Sequence, residues 1–239
     1  MVIFANNIRY MKGKNIIAVG AHPDDIEFGC PVTLRNFIKK GYKVHYIIAT
    51  NGENGFKAKS LSAKERIEIR KKEAIEAAAK VGVKDVHFLG YKDGFLEYSD
   101  VLREKLTLLI KEIKPEIVFS FDPANMDFEN INLSHRDHRV ISEAVFDSVF
   151  AAKNDFIYPD KNGKHRVEKL YFYGTNKPNL EVDITKQIDF KLEVLGSFKS
   201  QFPNFESFAK FFKENIGKGT GEYIYSETFR IVDVVQISY

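Results

Sequence analysis

A single cysteine, Cys30, stands in the whole chain of 239 residues. That excludes an intramolecular disulfide framework and any cysteine-based zinc finger, and it suits a reducing cytoplasm. The simplest place for Cys30 is a small buried position. No stretch comes near the ~18 consecutive apolar residues that a spanning helix needs. The opening "MVIFANNIRYMKGK" has one four-residue apolar run and no signal-peptide layout, so a soluble, cytoplasmic protein without a membrane span is expected. Charge of one sign is also scarce: 36 basic against 33 acidic residues leave +3, far from the concentrated basic face of a nucleic-acid binder. No nucleic-acid partner is expected. A Ser/Gly-rich linker, an internal repeat and a low-complexity tract are all missing. The chain therefore reads as one domain, residues 1–239, and 44% hydrophobic residues suffice for a sizeable core.

What is present is an alternation. The β-rich runs "NIIAVGA" (15–21), "KVHYIIAT" (43–50), "DVHFLG" (85–90) and "EIVFSF" (116–121) take turns with helical periodicity near 27–41, 62–81, 99–113 and 135–152. This order predicts βαβ units: an α/β, Rossmann-like fold with a largely parallel sheet and helices on both faces. Ser62 and Glu65 have capping-box spacing, and Gly41 and Gly82 sit where helices close. After about residue 153 the rhythm changes to a polar loop, strands near "KLYFYG" and "EVDI", a helix at 185–199 and the aromatic stretch "QFPNFESFAKFFKE". Residues 1–152 are expected to form the core with the site, and 153–239 an extension that walls its cleft. Phe202, Phe205, Phe208, Phe211 and Phe212 have helical spacing, which reads first as core or subunit interface and second as a sugar-stacking wall.

In open parallel sheets, ligands bind beyond the carboxyl ends of the strands. Both polar clusters of the first half lie there. His22, Asp24 and Asp25 follow the first strand; His135, Asp137 and His138 follow the fourth, with the two histidines three apart at a helix start. Imidazole and carboxylate suit Zn²⁺, and a catalytic zinc takes three protein ligands plus water, so two histidines and one carboxylate fit the count. Taken singly, Asp24 or Asp25 reads equally as a helix cap, and Asp137, three after Ser134, as a capping-box acid. A dinucleotide site is disfavoured: "VGAHPDDIEFG" lacks the G-x-G-x-x-G turn and puts carboxylates where a pyrophosphate needs N–H donors.

"AHPDD" with the downstream "HRDH" resembles the LmbE-like, or PIG-L, superfamily of zinc-dependent de-N-acetylases, whose motifs are AHPDDE and HPDH. "TNGENG" (50–55) and "RKKEAIEAAAKVGV" (70–83) extend the resemblance, and "YGTNKPNLEVDIT" and "FKSQFP" look closest to the archaeal diacetylchitobiose deacetylases within it. The resemblance implies His22, Asp25 and His138 as zinc ligands and Asp24 as general base. It makes His135 the group that stabilises the oxyanion or protonates the leaving amine, and Asp137 the residue that orients His135. Arg70 would line the substrate pocket, although on a helix with Arg66, Lys71 and Lys72 it also reads as a solvated arginine. The chain departs from the family at Pro31-Val32, where a Gly-Gly is usual, at Ile26 before Glu27, at Arg136 in place of the proline, and at Leu133, where some members carry a tyrosine. None of these removes an implied ligand.

The implied chemistry is hydrolysis of an N-acetylated amino sugar, a small molecule or oligosaccharide containing N-acetylglucosamine, by a homo-oligomer. Zinc lowers the pKa of bound water and polarises the acetamide carbonyl. Whether His135 or Asp24 protonates the amine is left open. Two rival classes remain: a metal-containing sugar-binding protein without turnover, and a zinc hydrolase of another bond such as a phosphoester. Retention of Asp24 counts against the first, since zinc binding needs no base. Asp122 and Asn51, at strand ends, read first as loop-stabilising. His45 and His87 read as strand histidines without a role, and His165 as solvated.

Overall fold

The computed structural model describes residues 14–56, 60–125, 128, 130–219 and 221–234. The apolar runs form strands because helices cover them from both sides: β1 (Asn15–Gly20) and β2 (Lys43–Thr50) are buried over nearly their whole length. With β3 (Asp85–Tyr91), β4 (Pro115–Phe121), β5 (Lys169–Tyr173), β6 (Leu180–Asp183) and β7 (Ser226–Asp233) they make one seven-stranded sheet, in the order β3-β2-β1-β4-β5-β7-β6. The first five strands are parallel, and β7 runs antiparallel to β5 and β6. The winding reverses between β1 and β4, so the crevice beyond their carboxyl ends is the topological switch point.

The helices follow their local signals. In α3 (Ala63–Val81), Ser62 Oγ accepts from the Glu65 N–H and the Glu65 carboxylate accepts from the Ser62 N–H, a complete capping box; Gly82, at φ +94°, closes the helix. α4 (Asp100–Ile113) and α5 (Arg136–Ala152) complete the crossovers. The helix expected near 27–41 is two helices, α1 (Asp25–Gly29) and α2 (Pro31–Lys39), with Cys30 buried between them. Pro31 has no N–H to continue α1, but its fixed φ suits the first position of α2. The helix expected over 185–199 is a 3₁₀ turn followed by α6 (Ile188–Leu195).

The strand β7 was not expected. It ties the second half of the chain to the first through Glu227, whose buried carboxylate accepts from the N–H groups of Val32 and Thr33, from Thr33 Oγ1 and from Lys191 Nζ at 3.0 Å. The aromatic stretch folds as α7 (Phe205–Phe211) and a π turn, Phe212–Ile216. Phe28 of α1 meets Phe202 and Phe208 edge-on, Phe202 and Phe208 stack at 3.8 Å, and Phe212 is buried, so Phe202, Phe205 and Phe208 pack half-buried against the core while Phe211 faces outward. His165 is not simply solvated: its Nε2 lies 2.7 Å from the Pro115 carbonyl. His45 and His87 stack within the sheet. Among the described residues, no helix is long and apolar enough to cross a membrane.

Candidate functional site

The chain leaves β1 in a tight turn. The His22 N–H donates to Asp25 Oδ2 at 2.7 Å, which fixes the carboxylate under the turn. Asp24 between them takes φ +128°, a conformation L-residues avoid, at a cost of about 1–3 kcal/mol that the surroundings must offset. Neither aspartate caps α1 through its side chain in the usual way: no side-chain cap bond forms at Asp24, and α1 begins at Asp25 itself.

The second cluster sits at the start of α5. His135 is the N-cap, its Nδ1 accepting from the Asp137 N–H at 3.2 Å. That bond leaves the imidazole neutral with its hydrogen on Nε2, so His135 is a donor without being protonated. Burial lowers its pKa, and the neighbouring His22 and His138 lower it further. The Asp137 carboxylate, fully buried, accepts from the Gly94 N–H at 2.7 Å, the Leu96 N–H at 3.2 Å and His22 Nε2 at 3.2 Å. It therefore faces His22 instead of orienting His135, which it touches through its backbone.

His22, Asp25 and His138 converge. His22 Nδ1 is 3.2 Å from His138 Nε2 and 3.4 Å from Asp25 Oδ2, and His138 Nε2 is 3.2 Å from Asp25 Oδ1. Ligands at 2.0–2.1 Å around a tetrahedral ion are separated by about 3.3 Å, so each pair stands at metal-ligand spacing, although the two histidines face different oxygens of Asp25. The tautomers agree as well. His22 turns Nε2 toward Asp137 and Asp93, and His138 turns Nδ1 toward the Leu133 carbonyl, which leaves His22 Nδ1 and His138 Nε2 as lone pairs aimed at the common point. Phe121 stacks on the His138 ring at 4.0 Å and holds its plane. Two further trios stand within metal reach of one another, His22 with His135 and His138, and His22 with Asp93 and Asp137.

The electrostatics ask for a cation. Burial works against charge on His22, yet Asp25, Asp137 and Asp93 together hold its pKa well above the ordinary value. Burial also opposes charge on Asp25, and His138 and His22 overcome it to hold the carboxyl far below the usual range. Asp24 differs: burial raises its pKa, Arg70 pulls it back and the Asp25 charge raises it again, with a net rise. Glu27, one turn on, is pushed by burial up to about 8 and is protonated at neutral pH.

Arg70 does not stand in solvent. It is 2% exposed, donates from Nη2 to the Pro23 carbonyl, and lies 3.1 Å from Asp24 Oδ2. Asp93, in "YKDG" after β3, was missed by sequence reasoning because Asp-Gly there reads as a turn. Its position at a third strand end in the same crevice was the available signal. Its Oδ1 lies 3.2 Å from His22 Nε2, its Oδ2 accepts from the Asn54 N–H, and its pKa, raised by burial, is lowered overall by His22 and Asn54. Asp122 binds Arg230 through both oxygens, with Thr175 Oγ1 and the Ala124 N–H completing its shell, while Asn51 donates to the Gly90 carbonyl. Both are loop-stabilising.

Known proteins share this arrangement of sheet and crevice. The structure of N,N'-diacetylchitobiose deacetylase from Pyrococcus horikoshii, complexed with its inhibitor MPG, superposes with a TM-score of 0.81 at 30% identity, covering 92% of this chain and 84% of that one. In sequence, the chain is 29% identical over 228 residues to the diacetylchitobiose deacetylase of Thermococcus kodakarensis, covering 92% of this chain and 83% of the relative. It is 30% identical over 196 residues to a Bacillus cereus protein described as a probable N-acetyl-alpha-D-glucosaminyl L-malate deacetylase 2, covering 79% and 84%. Residues 17–149, which carry both polar clusters and more than half of the chain, match the PIG-L family, described as GlcNAc-PI de-N-acetylase. The chain belongs to the PIG-L family.

Proposed function

We propose that the protein is a zinc-dependent deacetylase that removes acetyl from the N-acetylglucosamine unit of a small molecule or oligosaccharide. One observation carries the reading: a half-buried carboxylate, Asp24, is held in a costly backbone conformation beside three side chains that approach one another at metal-ligand spacing. A site that only stores or binds an ion has no use for it. The relatives' activities support the acetamide as the bond and N-acetylglucosamine as the sugar.

In this reading His22, Asp25 and His138 hold the ion. When bound, zinc supplies Lewis acidity toward water and toward the acetamide carbonyl. Asp24, its pKa raised, accepts the proton of the attacking water and returns it to the amine nitrogen as the C–N bond breaks, releasing acetate and the free amino sugar. The His135 Nε2–H donates to the developing oxyanion, a donor fixed in advance by the cap bond at Nδ1. Asp137 and Asp93 hold His22 from behind through Nε2. Residues 153–239 wall the cleft, a role supported by Thr175 and Arg230, which grip Asp122 next to Phe121. The reading includes a homo-oligomer in the cytoplasm.

The test is acetate release from N-acetylglucosamine and from diacetylchitobiose by zinc-reconstituted protein, with a chelated control. Acetate that disappears on chelation and returns with zinc is expected. No acetate from zinc-loaded protein with either sugar, or release of phosphate from phosphoesters instead, contradicts the reading.

A further inference from the structure

Asp24 is gripped from behind by groups that sit beneath the turn. A residue at φ +128° and ψ −22° does not hold that conformation by its own preference; neighbours must impose it. Arg70 of α3 reaches the turn at two points, donating from Nη2 to the carbonyl of Pro23, whose peptide leads into Asp24, and to Asp24 Oδ2 itself. Its remaining nitrogens, Nε and Nη1, are shut off from solvent and have no hydrogen-bond partner among the described residues. The guanidinium is buried, with its carbon 5.7 Å from the Phe198 ring centre, and Gly52 closes its other side. A Cβ at Gly52 would lie 2.7 Å from Pro23 Cδ and 2.9 Å from Arg70 Nε, and Gly52 itself has φ +66°. Only glycine leaves room there for the arginine and the proline to meet.

We infer that Arg70, backed by Gly52, is a positioning residue that holds the Pro23–Asp24 peptide and the Asp24 carboxylate in their working geometry, and that it is not a sugar-binding group. The inference rests on the reading of Asp24 as the base. A positioning residue acts on the reaction step, so its loss lowers kcat; a sugar-binding residue acts on substrate affinity, so its loss raises KM.

The experiment measures kcat per bound zinc and KM for diacetylchitobiose in wild type, Arg70→Gln, Arg70→Lys and Gly52→Ala. Folding is checked by circular dichroism and zinc content by metal analysis. Arg70→Gln is expected to lower kcat per bound zinc about 100-fold with KM within threefold, the penalty of a base displaced by about 1 Å. Arg70→Lys, a point charge that cannot reproduce the planar grip, falls between. Gly52→Ala, which perturbs the clamp without removing any polar group, lowers kcat at unchanged KM and keeps the idea testable should the arginine variants fail to fold. A tenfold or larger rise in KM at near-normal kcat in Arg70→Gln would overturn the inference in favour of a sugar contact. A Gly52→Ala protein with full kcat overturns the clamp. An inactive wild type instead sinks the parent reading, a distinct outcome.

Discussion

Replacing Asp137 by asparagine tests the support behind the proposed metal site without touching a proposed ligand. Asp137 is fully buried, and its two oxygens accept three hydrogens: from the Gly94 N–H, the Leu96 N–H and His22 Nε2. Asparagine keeps the shape but offers one acceptor oxygen and turns an NH₂ toward donors. At least one buried donor is then unsatisfied, at about 1–3 kcal/mol, and a charge-assisted bond to His22 is lost, at about 1.5–3 kcal/mol. The two terms share one side chain and do not add fully, so a stability loss of about 2–4 kcal/mol is expected. The same change frees His22 to rotate or to exchange tautomers, which moves the Nδ1 lone pair off the Asp25–His138 edge. Removing such outer partners of metal-bound histidines costs 10–100-fold in affinity, and that range is the expected loss here. Zinc affinity is read by competition with a chromophoric chelator, and stability by urea denaturation of the metal-free protein. Zinc affinity within twofold of wild type would refute the argument that Asp137 fixes His22 for the metal. Loss of affinity without loss of stability would refute only the buried-donor accounting.

The remaining predictions concern two buried charges. Lys191→Met leaves Glu227 buried without its ammonium and should destabilise by about 3 kcal/mol, near the low end for a broken buried pair because Val32 and Thr33 still donate to the carboxylate. The double variant Lys191→Met/Glu227→Gln should be less destabilised than the single one, and urea midpoints that show the reverse order would disprove this. Asp122 is pushed up by burial, but Arg230, Thr175 and the Ala124 N–H more than offset this and lower its pKa below the ordinary carboxylate value. Its contribution to stability is therefore complete above about pH 4, the unfolded value, and is lost as pH falls through the lower folded value. Asp122→Asn should cost about 2 kcal/mol at neutral pH and flatten the acid limb of stability against pH. Parallel acid limbs in the two proteins would show that the Asp122–Arg230 pair carries no such linkage.

Much of this was written in local patterns. The βαβ rhythm follows from apolar runs too short for helices, and the Ser62–Glu65 box and Gly82 mark one helix at both ends. His22, Asp25 and His138 stood out because polar residues at strand ends have few bland explanations when they cluster. What escaped depends on distant partners. β7 alternates weakly and becomes a strand only because β5 and β6 flank it. Asp93 looks like half of a turn until folding sets His22 opposite it. The partner of Asp137 is decided by which donors lie nearest, and the 94–96 turn, forty residues earlier in the chain, wins. Arg70 could not be separated from its neighbours on α3 by spacing, since only the packed turn at Pro23 and Gly52 singles it out.

The central claim is that a metal held by His22, Asp25 and His138 works with Asp24 as base to cleave an acetamide. It is tested most directly by acetate release from diacetylchitobiose by wild type and Asp24→Asn at equal zinc content. The account predicts acetate from the wild type and a kcat lower by about 10²–10⁴-fold in the variant. Equal turnover by the two proteins at equal zinc content would contradict it.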